Sequence, residues 1–289
     1  MQASQYNHPG VGPGEKKSLV VTFTQPDGTV LVTEGKGGGK VLWKDVAVTA
    51  TVVSVNSKGV LSLPSDPRVS DGKTGHVSIT VPSHPDLKAE LDIPLRYNYA
   101  FNVSFSGING SSGLDGNSGL DGSSGSMGSI DLQHPVAGGN GSDGSNGSDG
   151  GNGSNGGDGE DVLVRAALRA GSDPLLEIGV SAVRGGERYY LVDPQGGSLT
   201  ISSDGGSGGQ GGKGGRGGRG GSGGSGFPSG SSGSDGRNGS DGSNGSSGRS
   251  GSITVTYDPA VKPYLAAIRT WNPGGPKPIL KEEAVAPLW

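Results

Sequence analysis

Three basic residues recur at every third position of one glycine-rich stretch. Lys213, Arg216 and Arg219 are the only non-glycine residues of consecutive triplets, so an extended chain with three residues per turn would place them in one row, about 9 Å apart. Such a row could bind an anionic surface glycan. The sequence favours a solubilising row, or pairing with acids of a neighbouring segment. RNA binding is disfavoured because no aromatic residues are interleaved and the net charge is -4.

A polar ladder occupies the third triplet position of a second stretch. Amides and carboxylates of this kind could bind cations, sugar or ice. Acids six residues apart would lie ~19 Å apart along one extended segment, so a shared Ca²⁺ would need acids from a neighbouring segment. The charge of the row disfavours ice binding. The residues of the ladder are Asn140, Asp143, Asn146, Asp149, Asn152, Asn155 and Asp158.

Ile108, Leu114 and Leu120 recur at six-residue spacing in a third stretch. An apolar row on one face is more often a packing seam against a domain or another protomer than a ligand site. We therefore predict an assembly seam along these three residues.

Catalytic chemistry has no support in the sequence. The absence of Cys excludes a disulfide scaffold, an iron–sulfur cluster and a Cys-based zinc site. The four His residues are scattered, and the GxGxxG match at residues 151–156 neither follows a predicted strand nor begins a helix. We predict no catalytic residue, no metal site, no cofactor and no enzymatic activity.

These candidate residues lie in four runs in which glycine recurs at every third position. With 61 Gly but only 29% hydrophobic residues among 289, the chain has too little apolar material to build one core over its whole length. In each run eight glycines keep this three-residue spacing, and we call them the framed glycines. A flexible linker does not need such regularity. We name them run 1 (107–128), run 2 (138–159), run 3 (205–226) and run 4 (230–251).

A period of three is that of polyproline II geometry, which predicts a segment of roughly 65 Å for each run. No proline lies inside a run, which disfavours a collagen triple helix. The short links between runs 1 and 2 and between runs 3 and 4 require antiparallel neighbours. We predict a mainly β protein with four antiparallel extended glycine helices and with run 3 at the centre. β domains joined by disordered Gly/Ser linkers remain an alternative.

The flanking segments read as β structure. We predict a flexible segment at 1–16, a β-sandwich at 17–106 and a small β insertion at 161–203 between runs 2 and 3. The final part, 252–289, should hold a strand, a short helix that begins at Asp258-Pro259, and a Pro-rich tail.

The triplet glycines of 107–251 resemble those of the polyglycine II helix bundle proteins, which include springtail antifreeze proteins and the tips of some phage tail fibres. The GVLSLP and DGKTGHVSITVP stretches loosely resemble a bacterial Ig-like module. The first resemblance implies a non-catalytic extracellular role in which flat faces display side chains. It implies no particular ligand.

Taken together, the sequence predicts a structural protein of the cell surface or the extracellular space. In the first hypothesis it self-assembles into a fibre or layer through the Ile108–Leu120 seam. In the second it is a monomeric adhesin or an ice- or glycan-binding module that uses the polar rows. We expect no nucleic-acid partner and no transmembrane segment, since no apolar run reaches spanning length. No signal segment is recognised after Met1.

Overall fold

The protein is described here by a computed structural model in which residues 1–7, 9–169, 171 and 174–289 are placed. Strands dominate this part of the chain, and they form four sheets in two units. The glycine runs extend from the second unit. Two clusters of buried hydrophobic residues, one in each unit, form the cores.

The first unit consists of two sheets. One has the order β1-β2-β6-β5, with β3 also paired to β2, and the other has the order β4-β7-β8. All pairs in these sheets are antiparallel. The strands are β1 (Gln2–Gln5), β2 (Lys16–Thr24), β3 (Val30–Val32), β4 (Ala47–Thr51), β5 (Ser54–Val55), β6 (Val60–Ser62), β7 (Gly75–Val81) and β8 (His84–Ile93).

Alternation of residue types explains how these sheets bury one face. In β2, Leu19 and Val21 are buried, and in β7, Val77 and Ile79 are buried. Successive side chains of a strand point to opposite faces, so such pairs reach one core from each sheet. Trp43 packs into the same core.

The second unit combines residues from three separate parts of the chain. One sheet has the order β12-β11-β10-β14-β16, and the other has the order β15-β13-β9. Its core includes residues of both sheets, among them Val103, Val164, Ile201 and Val255. The strands are β9 (Ala100–Ser104), β10 (Val162–Leu168), β11 (Leu176–Ala182), β12 (Gly186–Val192), β13 (Ser198–Ser202), β14 (Ile253–Tyr257), β15 (Ile268–Trp271) and β16 (Ile279–Glu282).

Helical structure is limited to 3-10 helices among the described residues. Three are single turns, at Gly35–Gly37, Trp43–Asp45 and Pro67–Val69, and the fourth spans Pro259–Ala267. Asp258 caps the last one by accepting a hydrogen bond from the N–H of Ala260 at 3.0 Å. Proline at the first helical position is preorganised for this turn.

The expectation of four antiparallel glycine helices is wrong. The structure is mostly β, and none of the four runs forms a helix. They are extended segments whose backbone hydrogen bonds all go to other parts of the chain, and glycine at every third position lets those neighbouring backbones approach closely. Runs 1 and 2 are antiparallel, as are runs 3 and 4, whereas run 1 is parallel to run 3 and run 2 is parallel to run 4.

The connections of the second unit explain the parallel pairs. β9 leads directly into run 1, run 2 into β10, β13 into run 3, and run 4 into β14. β9 and β13 are parallel with partners 98 residues apart, and the same separation joins Asn109 to Ser207 in the runs. β10 and β14 are parallel with partners 91 residues apart, as are Asp149 and Ser240. Each pair of strands therefore sets the register of a pair of runs.

Three expected domain boundaries differ from the structure. Residues 1–16 contain β1, and Val11 in this segment is fully buried. The segment 17–106 contains β9, which belongs to the second core. The strands within 161–203 share that core with β9 and β14, so they do not form a separate insertion. The second core combines strands from distant parts of the chain, because each sheet has to bury its apolar face against another element.

The end of the chain joins the two units. Trp289 donates from Nε1 to Asp71 Oδ2 at 2.9 Å, and the Leu288 N–H donates to the buried Glu177 at 2.8 Å. Asp71 also pairs with Arg169 at 2.6 Å. The tail therefore contacts the first unit through Asp71 and the second through Glu177.

Candidate functional site

The glycine runs pack so closely that the framed glycines leave no room for a side chain. A Cβ added to Gly150 would lie 2.2 Å from the Gly212 carbonyl oxygen, and one added to Gly211 would lie 2.0 Å from the Gly242 oxygen. Both distances are far below van der Waals contact. The backbone of one run thus takes the space that a side chain would need in the next.

Runs 2 and 3 are both central in the glycine block, the name we use for the four runs together. Run 2 hydrogen-bonds to run 1 through Ser142, to run 3 through Gly151 and to run 4 through Gly144. Run 3 also bonds to all the others, whereas no hydrogen bond joins runs 1 and 4 in these fully described segments. The expectation that run 3 alone is central therefore needs correction, because run 2 uses its own glycine face in the same way.

The predicted polar ladder of run 2 lies along run 4 and holds its backbone. Every Oδ1 of the ladder accepts a hydrogen bond from a backbone N–H of run 4, at 2.7–2.9 Å. The donors are Ser231, Ser234, Arg237, Ser240, Ser243, Ser246 and Arg249, for acceptors Asn140, Asp143, Asn146, Asp149, Asn152, Asn155 and Asp158 in that order. Among the described residues these N–H groups have no backbone acceptor, so the ladder satisfies them.

Asp161 continues this ladder by one step beyond run 2. Its Oδ1 accepts from the Ser252 hydroxyl at 2.6 Å and from the Ser252 N–H at 2.8 Å. These bonds, that of the hydroxyl first, hold the pKa of the Asp161 carboxyl below its ordinary value because they favour the charged form. The ladder thus joins the glycine block to the start of β10 and β14.

Short polar side chains perform the same task on two other sides of the block. In run 4, Asp235, Asn238, Asp241 and Asn244 accept from glycine N–H groups of run 3 at 2.8–2.9 Å. In run 2, Ser142, Ser145, Ser148 and Ser154 accept from N–H groups of run 1 at 2.6–2.8 Å. Asn, Asp and Ser are short enough to reach a neighbouring backbone.

The predicted basic row is exposed along run 3. Within the described residues, Lys213, Arg216 and Arg219 form no ion pair within 4.0 Å. Instead, the backbone N–H groups of Lys213 and Arg219 donate to Asp115 and Asp121 of run 1, both at 2.8 Å. The acids of run 1 therefore hold the backbone beneath the row, while the cationic groups point outward.

The predicted apolar row is also exposed. Ile108, Leu114 and Leu120 have exposed fractions of 81%, 84% and 79%. Run 2 lies beside them with only serine and glycine: Ser145 bonds to Leu120, and Gly151 and Gly157 bond to Leu114 and Ile108. The row therefore stands above a surface of small residues.

An apolar feature that sequence reasoning missed lies at the far end of the glycine block. The two loops there, 129–137 and 227–229, are joined because the N–H of Phe227 donates to the Val136 carbonyl at 3.1 Å. Together with Met127 they form what we call the distal tip. Its exposed apolar residues are Met127, Ile130, Leu132, Val136 and Phe227. The sequence feature that could have predicted the distal tip is the presence of large apolar residues in a loop that joins two polar runs.

Neither a metal site nor a membrane span is found in the described part of the chain. No group of three or more His, Asp or Glu side chains there could hold a metal ion. None of the described helices combines the length and the apolar character that crossing a bilayer requires.

His76 lies between two carboxylates of β8, Asp92 at 2.8 Å and Glu90 at 2.7 Å. These two hydrogen bonds, that of Asp92 first, raise the pKa of the His76 imidazole.

Comparison with known proteins gives no relative for this chain: no family model, no curated protein and no solved structure matches it. The functional argument therefore rests on the residues and contacts described above.

Proposed function

We propose that this protein is a non-catalytic structural protein of the cell surface or extracellular space that self-assembles into a fibre or layer. The glycine block is the stiff part, because backbone hydrogen bonds and side-chain ladders tie all four runs together. The second unit fixes its base through the shared strand register.

The observation that carries this proposal is the exposure of Ile108, Leu114 and Leu120 above a surface of serine and glycine. Exposed large apolar side chains in a row favour contact with another surface. Small residues beside them allow a second glycine block to approach closely. Lateral association of two copies would bury the row.

Replacing Leu114 and Leu120 by Ser should weaken lateral association strongly. Burial of each leucine is worth about 1.5–3 kcal/mol, so the double variant should associate at least about a hundredfold more weakly. Sedimentation velocity over a concentration series measures this. The matched control replaces Ser111 and Ser123 on the same row by Ala, and it should associate like the wild type.

A monomeric binding module is the second candidate. The polar ladder supports it poorly, since each Oδ1 is engaged with run 4. The basic row supports it better, since its cationic groups have no ion-pair partner among the described residues, and an anionic surface glycan is the ligand that would suit it. A wild-type chain that sediments as a monomer at every concentration would favour this candidate.

A further inference from the structure

The last strand of the second unit is attached at the edge of its sheet. β16 pairs in parallel with β14, with Ile279 opposite Thr254 and Glu282 opposite Tyr257, and all four residues of β16 are exposed. We call residues 277–289 the arm. In this fully described segment no residue belongs to either hydrophobic core. The arm is therefore an added edge strand on which neither core depends.

Three carboxylates of the two units accept hydrogen bonds from the arm, at 3.3, 2.8 and 2.9 Å. The pairs are Asp258 with the Val285 N–H, Glu177 with the Leu288 N–H, and Asp71 with the Trp289 Nε1. Glu177 is only 3% exposed, so without the arm this carboxylate would lose a donor where burial makes a lone charge costly. The site therefore fits a segment that supplies these three donors beyond an edge strand, and the arm is that segment.

A loop that can change direction joins the arm to the rest of the second unit. The loop, 272–276, reads Asn-Pro-Gly-Gly-Pro, and Gly274 has a φ of +75°. A Cβ added to Gly274 would meet no atom beyond its chain neighbours within 4 Å. The loop also lines an open cleft of about 480 Å³ at the base of runs 3 and 4. Because glycine adopts many φ and ψ values and the space around Gly274 is open, the loop can serve as a hinge.

We propose that the arm is exchanged between copies, so that the arm of one copy pairs with β14 of a second copy. This inference rests on the proposed function, because lateral association holds two copies at the high effective concentration at which a tethered arm reaches its neighbour. Every copy carries the same edge strand and the same three carboxylates, so the contacts that one copy loses are regained on the next. Exchange of an identical element therefore adds a linkage at little cost.

Two single-cysteine variants report exchange directly, because the chain has no Cys of its own. One carries Thr256→Cys in β14 and the other Lys281→Cys in the arm, and these two residues lie opposite each other in the ladder. Neither side chain is buried, so both variants should keep the far-UV circular dichroism of the wild type. They are mixed under reducing conditions, incubated and then oxidised, and the disulfide-linked peptides are identified by mass spectrometry.

The 256–281 disulfide between two chains should exceed the collision background at least about tenfold, because strand pairing raises the effective concentration of the two thiols. A mixture of the Lys281→Cys and Val183→Cys variants measures that background, since Val183 is 94% exposed in the β11–β12 turn, outside the ladder. A chain with both Thr256→Cys and Lys281→Cys should form the same disulfide within itself when dilute, which checks the register.

Three outcomes would overturn the inference. A wild type that assembles while the mixed variants give only background would remove exchange and leave the lateral proposal standing. A double variant without an intrachain disulfide when dilute would show that β16 does not pair with β14 in this register. A wild type that never associates, with background disulfide only, would contradict both proposals. The same disulfide at full yield in a Leu114→Ser, Leu120→Ser background would support exchange and show that it does not need the lateral contact.

Discussion

Gly150→Ser is expected to destabilise the glycine block strongly, whereas Gly151→Ser is expected to leave its stability nearly unchanged. A Cβ at position 150 would lie 2.2 Å from the Gly212 oxygen and 2.6 Å from its carbonyl carbon. Backbone cannot move aside as a flexible side chain can, so runs 2 and 3 would have to separate and lose neighbouring hydrogen bonds. Overpacking typically costs about 1–3 kcal/mol, and a clash with backbone belongs at the upper end of that range.

Gly151 is the matched control because it precedes the same ladder residue but faces outward. A Cβ there would lie 3.1 Å from the Leu114 nitrogen. Serine already occupies the equivalent place at Ser145 and Ser148, where its Oγ accepts an N–H of run 1. A serine at 151 should accept the Leu114 N–H in the same way.

Calorimetry of the two variants measures the difference. The transition of Gly150→Ser should fall by roughly 6 °C or more relative to wild type, and that of Gly151→Ser should stay within about 2 °C of it. Equal transitions in both variants would show that the framed glycines are not in backbone contact.

Removal of three consecutive ladder side chains has the second largest expected effect. The variant replaces Asn146, Asp149 and Asn152 by Ala, which leaves the N–H groups of Arg237, Ser240 and Ser243 without protein acceptors. A hydrogen bond contributes about 0.5–1.5 kcal/mol net. Because water can reach these groups, we expect a loss of roughly 1.5–3 kcal/mol for the three together.

The control for this variant replaces Asp143 and Asp149 by Asn, which keeps the Oδ1 acceptors and removes only charge. Urea unfolding of the Asn variant should match that of the wild type, whereas the Ala variant should unfold at lower urea. A destabilised Asn variant would mean that the charges matter. An Ala variant as stable as the wild type would show that the ladder does not hold run 4.

The sequence predicted the three-residue glycine period of the runs well, but it predicted poorly which residues of neighbouring runs face each other. The triplet frame and the equal run lengths located all four segments, and alternating residues located β2 and β7. Asp258-Pro259 located the start of the last 3-10 helix. Each of these signals is local, so it is contained in a short stretch of chain.

The relation between runs depends on the strands to which they are joined, and no local pattern reports it. Run 1 is parallel to run 3 because β9 is parallel to β13 across 98 residues. The polar ladder was interpreted as a candidate ligand face because a local pattern does not show which run lies beside it. Only the pairing with run 4 shows that its oxygens are already used.

Amide hydrogen exchange of run 2, measured residue by residue by NMR, tests the central claim most directly. The N–H of Gly141 donates to Ser231 and that of Ser142 to Ser123, while the N–H of Asp143 donates to no acceptor in the described residues. The same pattern recurs at Gly144, Ser145 and Asn146. The account predicts two slowly exchanging amides and one fast amide in every such triplet. Uniformly fast exchange throughout run 2 would contradict it and would indicate β units joined by disordered linkers.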